Sequence, residues 1–133
     1  MNRKYFSIEQ ANHSLVLVRP IVQDIVNKRN MMIDTKKKIK NLDTDNLVIQ
    51  WITKENELKK ELKELSTSIT YNLEELEMIG CYLKDFKKGV IDFPSVLDRR
   101  VVFLSWQLGE KTVNNWHEVV HSYDKNKVIK SLT

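Results

Sequence analysis

The chain contains little glycine, proline or cysteine. Its 133 residues include 3 Gly, 2 Pro and 1 Cys. So few glycines and prolines disfavour an all-β sandwich, which needs many turns, and a disordered chain, and they favour helix. The single cysteine, Cys81, cannot form an internal disulfide, and this usage is typical of a reducing compartment. The composition therefore predicts a mainly helical protein that disulfides do not stabilise.

The chain also lacks a long apolar run and a strong excess of one charge. Its first residues contain no apolar core of a signal peptide, and no run approaches the about 20 apolar residues that span a membrane. The 22 basic and 18 acidic residues leave a net charge of +4, which is too small to require a nucleic-acid partner. We therefore expect a cytoplasmic protein with no membrane span, folded as a single domain over residues 1–133.

The first part of the chain follows a helical pattern. A Ser-x-x-Gln capping box starts at Ser7, and apolar residues then recur at spacings of three and four. The spacing predicts helix 1 over residues 7–41 and helix 2 over residues 44–79, with Gly80 as the left-handed residue that ends helix 2. The polar cluster 41–46 is predicted to reverse the chain. The result is a long antiparallel hairpin whose inner seam consists of Ile8, Ala11, Leu15, Val18, Val22, Ile25, Met32 and Ile39 from helix 1, and Val48, Trp51, Leu58, Leu62, Leu65, Ile69, Leu76 and Ile79 from helix 2.

The predicted hairpin has more apolar surface than one coiled-coil-like seam can bury. We expect a second copy of the chain to cover this surplus in a homodimer. The alternative is that the C-terminal part of the same chain covers it. The apolar residues that lie off the seam are Leu17, Ile21, Val26, Ile33, Ile49, Ile52 and Leu73.

A basic run lies near the predicted tip of the hairpin, at Lys36, Lys37, Lys38 and Lys40. Such a run can contact phosphate or an acidic partner, but lysines are also common at a solvated helix C-terminus, where they interact favourably with the dipole. No aromatic residue alternates with these lysines, as one would in a surface that binds single-stranded nucleic acid. The solvated helix end is therefore the favoured interpretation.

After helix 2 the pattern changes to short strands. Residues 81–85, 90–93 and 101–106 each read as a strand, and together they predict a small antiparallel β-sheet over residues 81–106. Residues 111–123 then follow helical spacing and predict a C-terminal helix. The expected fold is mainly α with a small β element (α+β): a long antiparallel helical hairpin, a short antiparallel sheet and a final helix.

Several segments of the chain resemble a small bacterial family, the domain-of-unknown-function family twenty-two-oh-three. Some of its members are loosely labelled as cell-division proteins of DivIVA type. The family has no established activity, so the resemblance implies a fold and a signature but no reaction. The segments that carry the resemblance are Tyr5 to Asn12, Leu17 to Pro20, Leu83 to Asp85, Gly89 to Pro94, Leu104 to Trp106, Leu108 to Glu110 and Trp116 to Glu118.

Two positions depart from the pattern of that family. Members usually carry cysteine where this chain has Ser105, which weakens any thiol chemistry there. They also tend to continue after Trp-His-Glu with a glycine-aromatic-arginine stretch, which this chain lacks. His121 therefore lies outside the family pattern.

The sequence HEVVH matches a zinc-protease signature. On a helix, His117 and His121 would lie one turn apart, with Glu118 between them as the general base. A third protein ligand is still needed, and the only acidic residue after His121 is Asp124, which is too close on the same helix to face the metal. The sequence therefore disfavours a zinc peptidase and names no catalytic residue.

A broader candidate site combines carboxylates, an imidazole and aromatic side chains. A divalent metal such as zinc or manganese would take oxygen and imidazole ligands from it. These residues can equally tie strand to helix, and the two tryptophans can belong to the core. The candidate ligand-binding residues are Asp92, Trp106, Glu110, Trp116, His117 and Glu118, and the candidate metal ligands are Asp92, Glu110, His117 and His121.

Two functional interpretations remain open from the sequence. The favoured one is a non-enzymatic helical interaction or scaffold protein that acts as a homodimer, needs no cofactor and contacts a protein partner. The alternative is a divalent-metal-binding protein or metal-dependent hydrolase with its site around His117.

Overall fold

Two long helices precede an antiparallel β-sheet in the computed structural model, which describes residues 4–42, 48–118 and the backbone of 129–131. The predicted α+β fold, with a helical hairpin followed by a small sheet, is confirmed over these residues. Neither described helix is long and apolar enough to cross a membrane. The sheet has the strand order β1-β2-β3-β4-β5. The elements are α1 (Ile8–Lys40), α2 (Val48–Ile79), β1 (Tyr82–Asp85), β2 (Val90–Leu97), β3 (Arg100–Gln107), β4 (Asn115–Glu118) and β5 (Ile129–Ser131).

Both ends of α1 are formed by local hydrogen bonds. The predicted capping box is present, because Gln10 N donates to Ser7 Oγ and Ser7 N donates to Gln10 Oε1, each at 3.0 Å. Asn41 is the C-cap residue, and its N–H donates to Lys37 O at 2.9 Å. Of the predicted reversal over 41–46, residues 43–46 lie outside the described residues.

A polar network centred on the buried Asn72 joins the two helices. Lys28 Nζ donates to Asp24 Oδ2 at 2.7 Å and to Asn72 Oδ1 at 2.8 Å. Asn72 Nδ2 donates to Asp24 Oδ2 at 3.3 Å, and Asn72 is only 6% exposed. A buried amide that must keep these partners opposes sliding of one helix along the other. The network therefore fixes the register of the hairpin.

The sheet buries one face against the helices. In β2, Ile91 and Phe93 are fully buried, and they lie opposite Trp106 and Leu104 of β3. These side chains share one core with the inner stripe of α1, including the fully buried Val22. Alternate residues of the strands must then point to the face away from the helices.

Pro94 lies within β2, although the sequence predicted that the strand ends at Phe93. Pro94 O accepts a hydrogen bond from Phe6 N at 2.7 Å. The nitrogen and oxygen of one strand residue point to the same side, so the missing N–H of proline faces the Phe6 segment and not the β3 ladder. The two strands therefore continue to a two-residue turn at Asp98 and Arg99, both of which have positive φ angles.

The predicted C-terminal helix over 111–123 is not found. Residues 115–118 form strand β4, and residues 119–123 lie outside the described residues. Trp116 pairs with Leu104, and His117 pairs with Phe103. The three-residue spacing of Val113 and Trp116 suggested a helix, but pairing with the free edge of β3 overrides that local pattern.

Gly89 provides a test of how closely the sheet approaches α1. Its φ is +72°, and an added Cβ would lie 2.8 Å from Val22 Cγ1. Gly109 also has a positive φ of +103°, but an added Cβ there meets nothing within 4 Å.

We expect Gly109→Ala to lower the free energy of unfolding by roughly 1–2 kcal/mol through backbone strain. Gly89→Ala should cost roughly 1–3 kcal/mol more, because it also overpacks the core.

Urea unfolding of the two alanine variants measures this difference. Gly109→Ala is the control, because it also adds a Cβ at a positive φ but without the contact. Equal losses in the two variants would contradict the close packing at Val22.

Candidate functional site

The centre of the candidate site is a hydrogen-bonded pair on the sheet face away from the helices. His117 Nε2 lies 3.1 Å from Asp92 Oδ1. Asp92 is on β2 and His117 is on β4, and both strands pair with β3. The two side chains therefore meet above β3, on the face where Phe103 and Ser105 lie. Two residues that are 25 positions apart in the chain are brought together by the alternation of the strands.

The Asp92–His117 pair is buried. Asp92 is 9% exposed and His117 is 8% exposed. The other ring nitrogen, His117 Nδ1, lies 3.2 Å from Glu118 O, which can only accept a hydrogen bond. The contact with Glu118 O therefore requires a proton on Nδ1, and Nε2 shares a hydrogen bond with the Asp92 carboxyl group. Both ring nitrogens of His117 therefore have hydrogen-bond partners within the protein.

The surroundings of the pair are aromatic on one side and polar on the other. The ring of Phe103 lies 5.5 Å from the ring of His117 at an angle of 31°. Ser105 lies directly opposite Asp92 in the β2–β3 ladder. A serine nucleophile would need a free histidine nitrogen to take its proton. Both nitrogens of His117 already have partners, so the set does not have the arrangement of a Ser-His-Asp triad.

Glu118 points away from His117. Neighbouring residues of a strand face opposite sides of the sheet, and Glu118 pairs with Arg100 at 3.3 Å in a partly exposed contact. The helical geometry that the zinc-protease signature requires is therefore not formed by His117 and Glu118, and His121 lies outside the described residues. Glu118 as general base and His117 as metal ligand would therefore lie on opposite faces of the sheet.

Trp106 and Glu110 form a second cluster, on the helix side of the sheet. Trp106 is fully buried, and its Nε1 donates to Glu110 O at 2.9 Å. The Glu110 carboxylate accepts from Gln107 N at 2.7 Å, which closes the turn after β3. Trp116 lies opposite Leu104 and packs against the same core. Trp106, Glu110 and Trp116 therefore have structural roles on the helix side of the sheet, separate from the Asp92–His117 pair.

Arg19 belongs to this second cluster, and the sequence did not indicate it as a site residue. Its guanidinium lies over the Trp106 ring at 5.7 Å and donates to Lys111 O at 3.1 Å. It also reaches Glu110 O at 3.5 Å, so it joins α1 to the turn after β3. An exposed arginine on a helix gives no sequence signal for such a contact. A groove of about 500 Å³ lies beside it, lined by Arg19, Gln23, Leu108, Gly109, Glu110 and Lys111.

The predicted metal ligands do not come together as a set. Within the described residues, no group of three or more His, Cys, Asp or Glu side chains could hold a metal ion. Asp92 and His117 supply two ligands at most, whereas structural zinc sites use four and catalytic ones three with a water. Glu110 is committed to the turn at Gln107.

In the described part of the chain, Cys81 and Asp85 have clearly shifted pKa values. Burial raises the pKa of the Cys81 thiol to about 12. The backbone N–H of Lys88, with a further contribution from that of Lys87, lowers the pKa of Asp85. Cys81 is therefore a protonated, unreactive core residue, and Asp85 is a carboxylate that holds the β1–β2 turn.

Fold and site together define an α+β protein with a helical hairpin, an antiparallel sheet and one buried carboxylate–imidazole pair. Comparison with known protein families then shows to which family the chain belongs. The family model described as Uncharacterized conserved protein (DUF2203) matches residues 4–129, so the chain belongs to this family. No curated protein and no solved structure matches the chain. Family membership supports the resemblance noted in the sequence and assigns no activity.

A double-mutant cycle tests the coupling of the buried pair. Asp92→Ala and His117→Ala should each lower the free energy of unfolding by roughly 1–3 kcal/mol, because each leaves a buried polar partner unsatisfied. The double variant should cost less than the two single losses added, by roughly 0.5–3 kcal/mol. The measurement is chemical unfolding of all four proteins.

Glu118→Ala is the control for that cycle. It removes the partly exposed contact with Arg100 and should change the free energy of unfolding by less than about 0.5 kcal/mol. Strict additivity of the Asp92 and His117 losses would show that the pair is not coupled.

Proposed function

We propose that the protein is a non-enzymatic helical interaction or scaffold protein that acts as a homodimer. The observation that carries the proposal is the apolar surface that the helical hairpin leaves uncovered. The exposed large apolar side chains of the two helices are Ile8, Val16, Leu17, Met31, Val48, Ile49, Ile52, Tyr71 and Met78. Exposed apolar side chains that cluster mark an interaction site, and Val48, Ile49 and Ile52 lie within two turns at the start of α2.

The start of α2 is the densest part of this surface. Val48, Ile49 and Ile52 are 67%, 79% and 45% exposed. Full burial of one such side chain contributes roughly 1.5–3 kcal/mol. Covering these side chains in a contact between two copies therefore favours association, although the loss of translational and rotational freedom offsets part of the gain.

The chemistry of the candidate site also supports a role in binding over one in catalysis. Both ring nitrogens of His117 have partners, at Asp92 and at Glu118 O. A general base needs a nitrogen that can reach a substrate proton. The buried pair accordingly suits a part of the fold that holds β2 and β4 in place.

Solution mass tests the homodimer. We expect light scattering to give twice the 15.8 kDa mass of one chain. Ile49→Lys should shift the mass toward that of one chain at micromolar concentration, because it places a charge in the apolar contact. Glu61→Lys, at another exposed position of α2, controls for the added charge. A wild-type mass of one chain at every concentration would contradict the proposal.

A metal-binding protein or metal-dependent hydrolase around His117 is the second candidate function. The observation that favours it is the convergence of Asp92 and His117 at 3.1 Å. Further ligands would have to come from outside the described residues, where His121 lies.

Elemental analysis separates the two candidates. For an interaction protein, we expect no stoichiometric zinc or manganese after purification without chelator. Added zinc or manganese should then raise the melting temperature of the wild type no more than that of His117→Ala. One metal ion per chain that is lost in His117→Ala would favour the second candidate.

A further inference from the structure

The outward face of α2 has apolar residues at both ends. Ile49 is 79% exposed and Met78 is 88% exposed, the two highest values among the large apolar side chains that the structure describes. Met78 follows Ile49 by 29 residues (78 minus 49), close to eight turns of about 3.6 residues each, so both lie on the same side of the helix. The two ends of one helix face therefore carry matching apolar side chains.

The same face continues between these two ends. Residues spaced by three or four along it are all exposed, so the sheet and α1 leave it open along its whole length. It is apolar at each end and polar in the middle. We call it the α2 seam; its members are Ile49, Thr53, Asn56, Lys60, Lys63, Thr67, Tyr71, Glu74 and Met78.

Opposite charges lie at the two ends of the hairpin. The last turns of α1 carry Lys36, Lys37, Lys38 and Lys40, all exposed. The last turns of α2 carry Glu74, Glu75 and Glu77, also exposed, with no basic residue between 70 and 79. Gly80 after α2 lies beside Lys4 and Phe6 before α1, and Lys28 contacts Asn72 further along, so the helices run antiparallel. The lysines therefore lie toward the start of α2 and the glutamates at its end.

We propose that two copies of the chain associate antiparallel along the α2 seam, about a two-fold axis near Lys63 and Glu64. The proposal rests on the homodimer proposed above and specifies its interface. In this arrangement Ile49 of each copy contacts Met78 of the other. Lys63 then lies beside Glu64 of the second copy. A two-fold contact must be self-complementary. The α2 seam meets this condition, because its two apolar ends face each other when one copy is reversed.

Charge selects the antiparallel arrangement over a parallel one. The antiparallel pair places the lysine end of each hairpin beside the glutamate end of the other. A parallel pair would place lysines beside lysines and glutamates beside glutamates, and like charges in contact disfavour a complex. It would also bring Lys60 against its own copy, whereas the antiparallel pair places Lys60 opposite Thr67.

Cysteine cross-linking tests the arrangement. The native Cys81 is fully buried and its pKa is raised to about 12, so it contributes little background. Ile49→Cys and Met78→Cys are prepared as separate full-length variants at exposed positions. Their equimolar mixture is oxidised under conditions in which light scattering has given the mass of two chains.

We expect the mixture to form a mixed disulfide dimer, whereas each variant oxidised alone stays unlinked. A disulfide needs Cα atoms within about 7 Å, so the link reports direct contact. Val16→Cys mixed with Ile49→Cys is the matched control, because Val16 is 77% exposed but lies on α1, outside the seam. The control mixture should stay unlinked.

Other outcomes overturn the proposal in distinguishable ways. Self-linking of Ile49→Cys would show a parallel pair. A dimer in which the mixture does not link would show another interface, and both results would leave the homodimer intact. A wild-type mass of one chain would overturn both the homodimer and this arrangement.

Discussion

The whole fold depends on the burial of one stripe of α1 against two partners. Val18, Val22 and Ile25 are fully buried, and they share one core with residues of α2 and of the sheet. A small sheet without a covered face is marginal in water, so the strands depend on this helix for stability. Gly89 approaches α1 closely enough that a methyl group would collide with Val22. The position of every other element follows from this contact.

The same constraint leaves part of the hairpin without cover. The 33 residues of α1 extend over about 50 Å, whereas a strand of eight residues extends over about 27 Å. The sheet can therefore cover only one part of the helices. Apolar residues such as Val48, Ile49 and Ile52, at the far end of α2, remain exposed for this geometric reason. This argues for a partner more strongly than the apolar content of the chain alone.

Local patterns predicted the elements whose stability is mostly local. The sequence predicted the capping box at Ser7, the end of α2 at Gly80 and strand β3, because each depends on neighbouring residues. Strand β4 was missed, because residues 115–118 are extended through pairing with β3 and β5, which lie outside its local sequence pattern. The candidate site was predictable in part. Asp92 and His117 were both named as candidate site residues, but a strand at His117 was needed to bring the pair together.

The buried Asp92–His117 pair also acts on the register of the sheet. Replacing a buried ion pair with apolar residues is often neutral or stabilising, so such a pair is weak evidence of stability alone. Its geometry is specific, however, because the contact joins β2 to β4 across β3. A slip of β4 by one residue would turn His117 to the other face, and a slip of two would move it by about 7 Å, beyond hydrogen-bond reach. The pair therefore helps to select one register for a short strand, together with Trp116 in the core and the contact between Glu118 and Arg100.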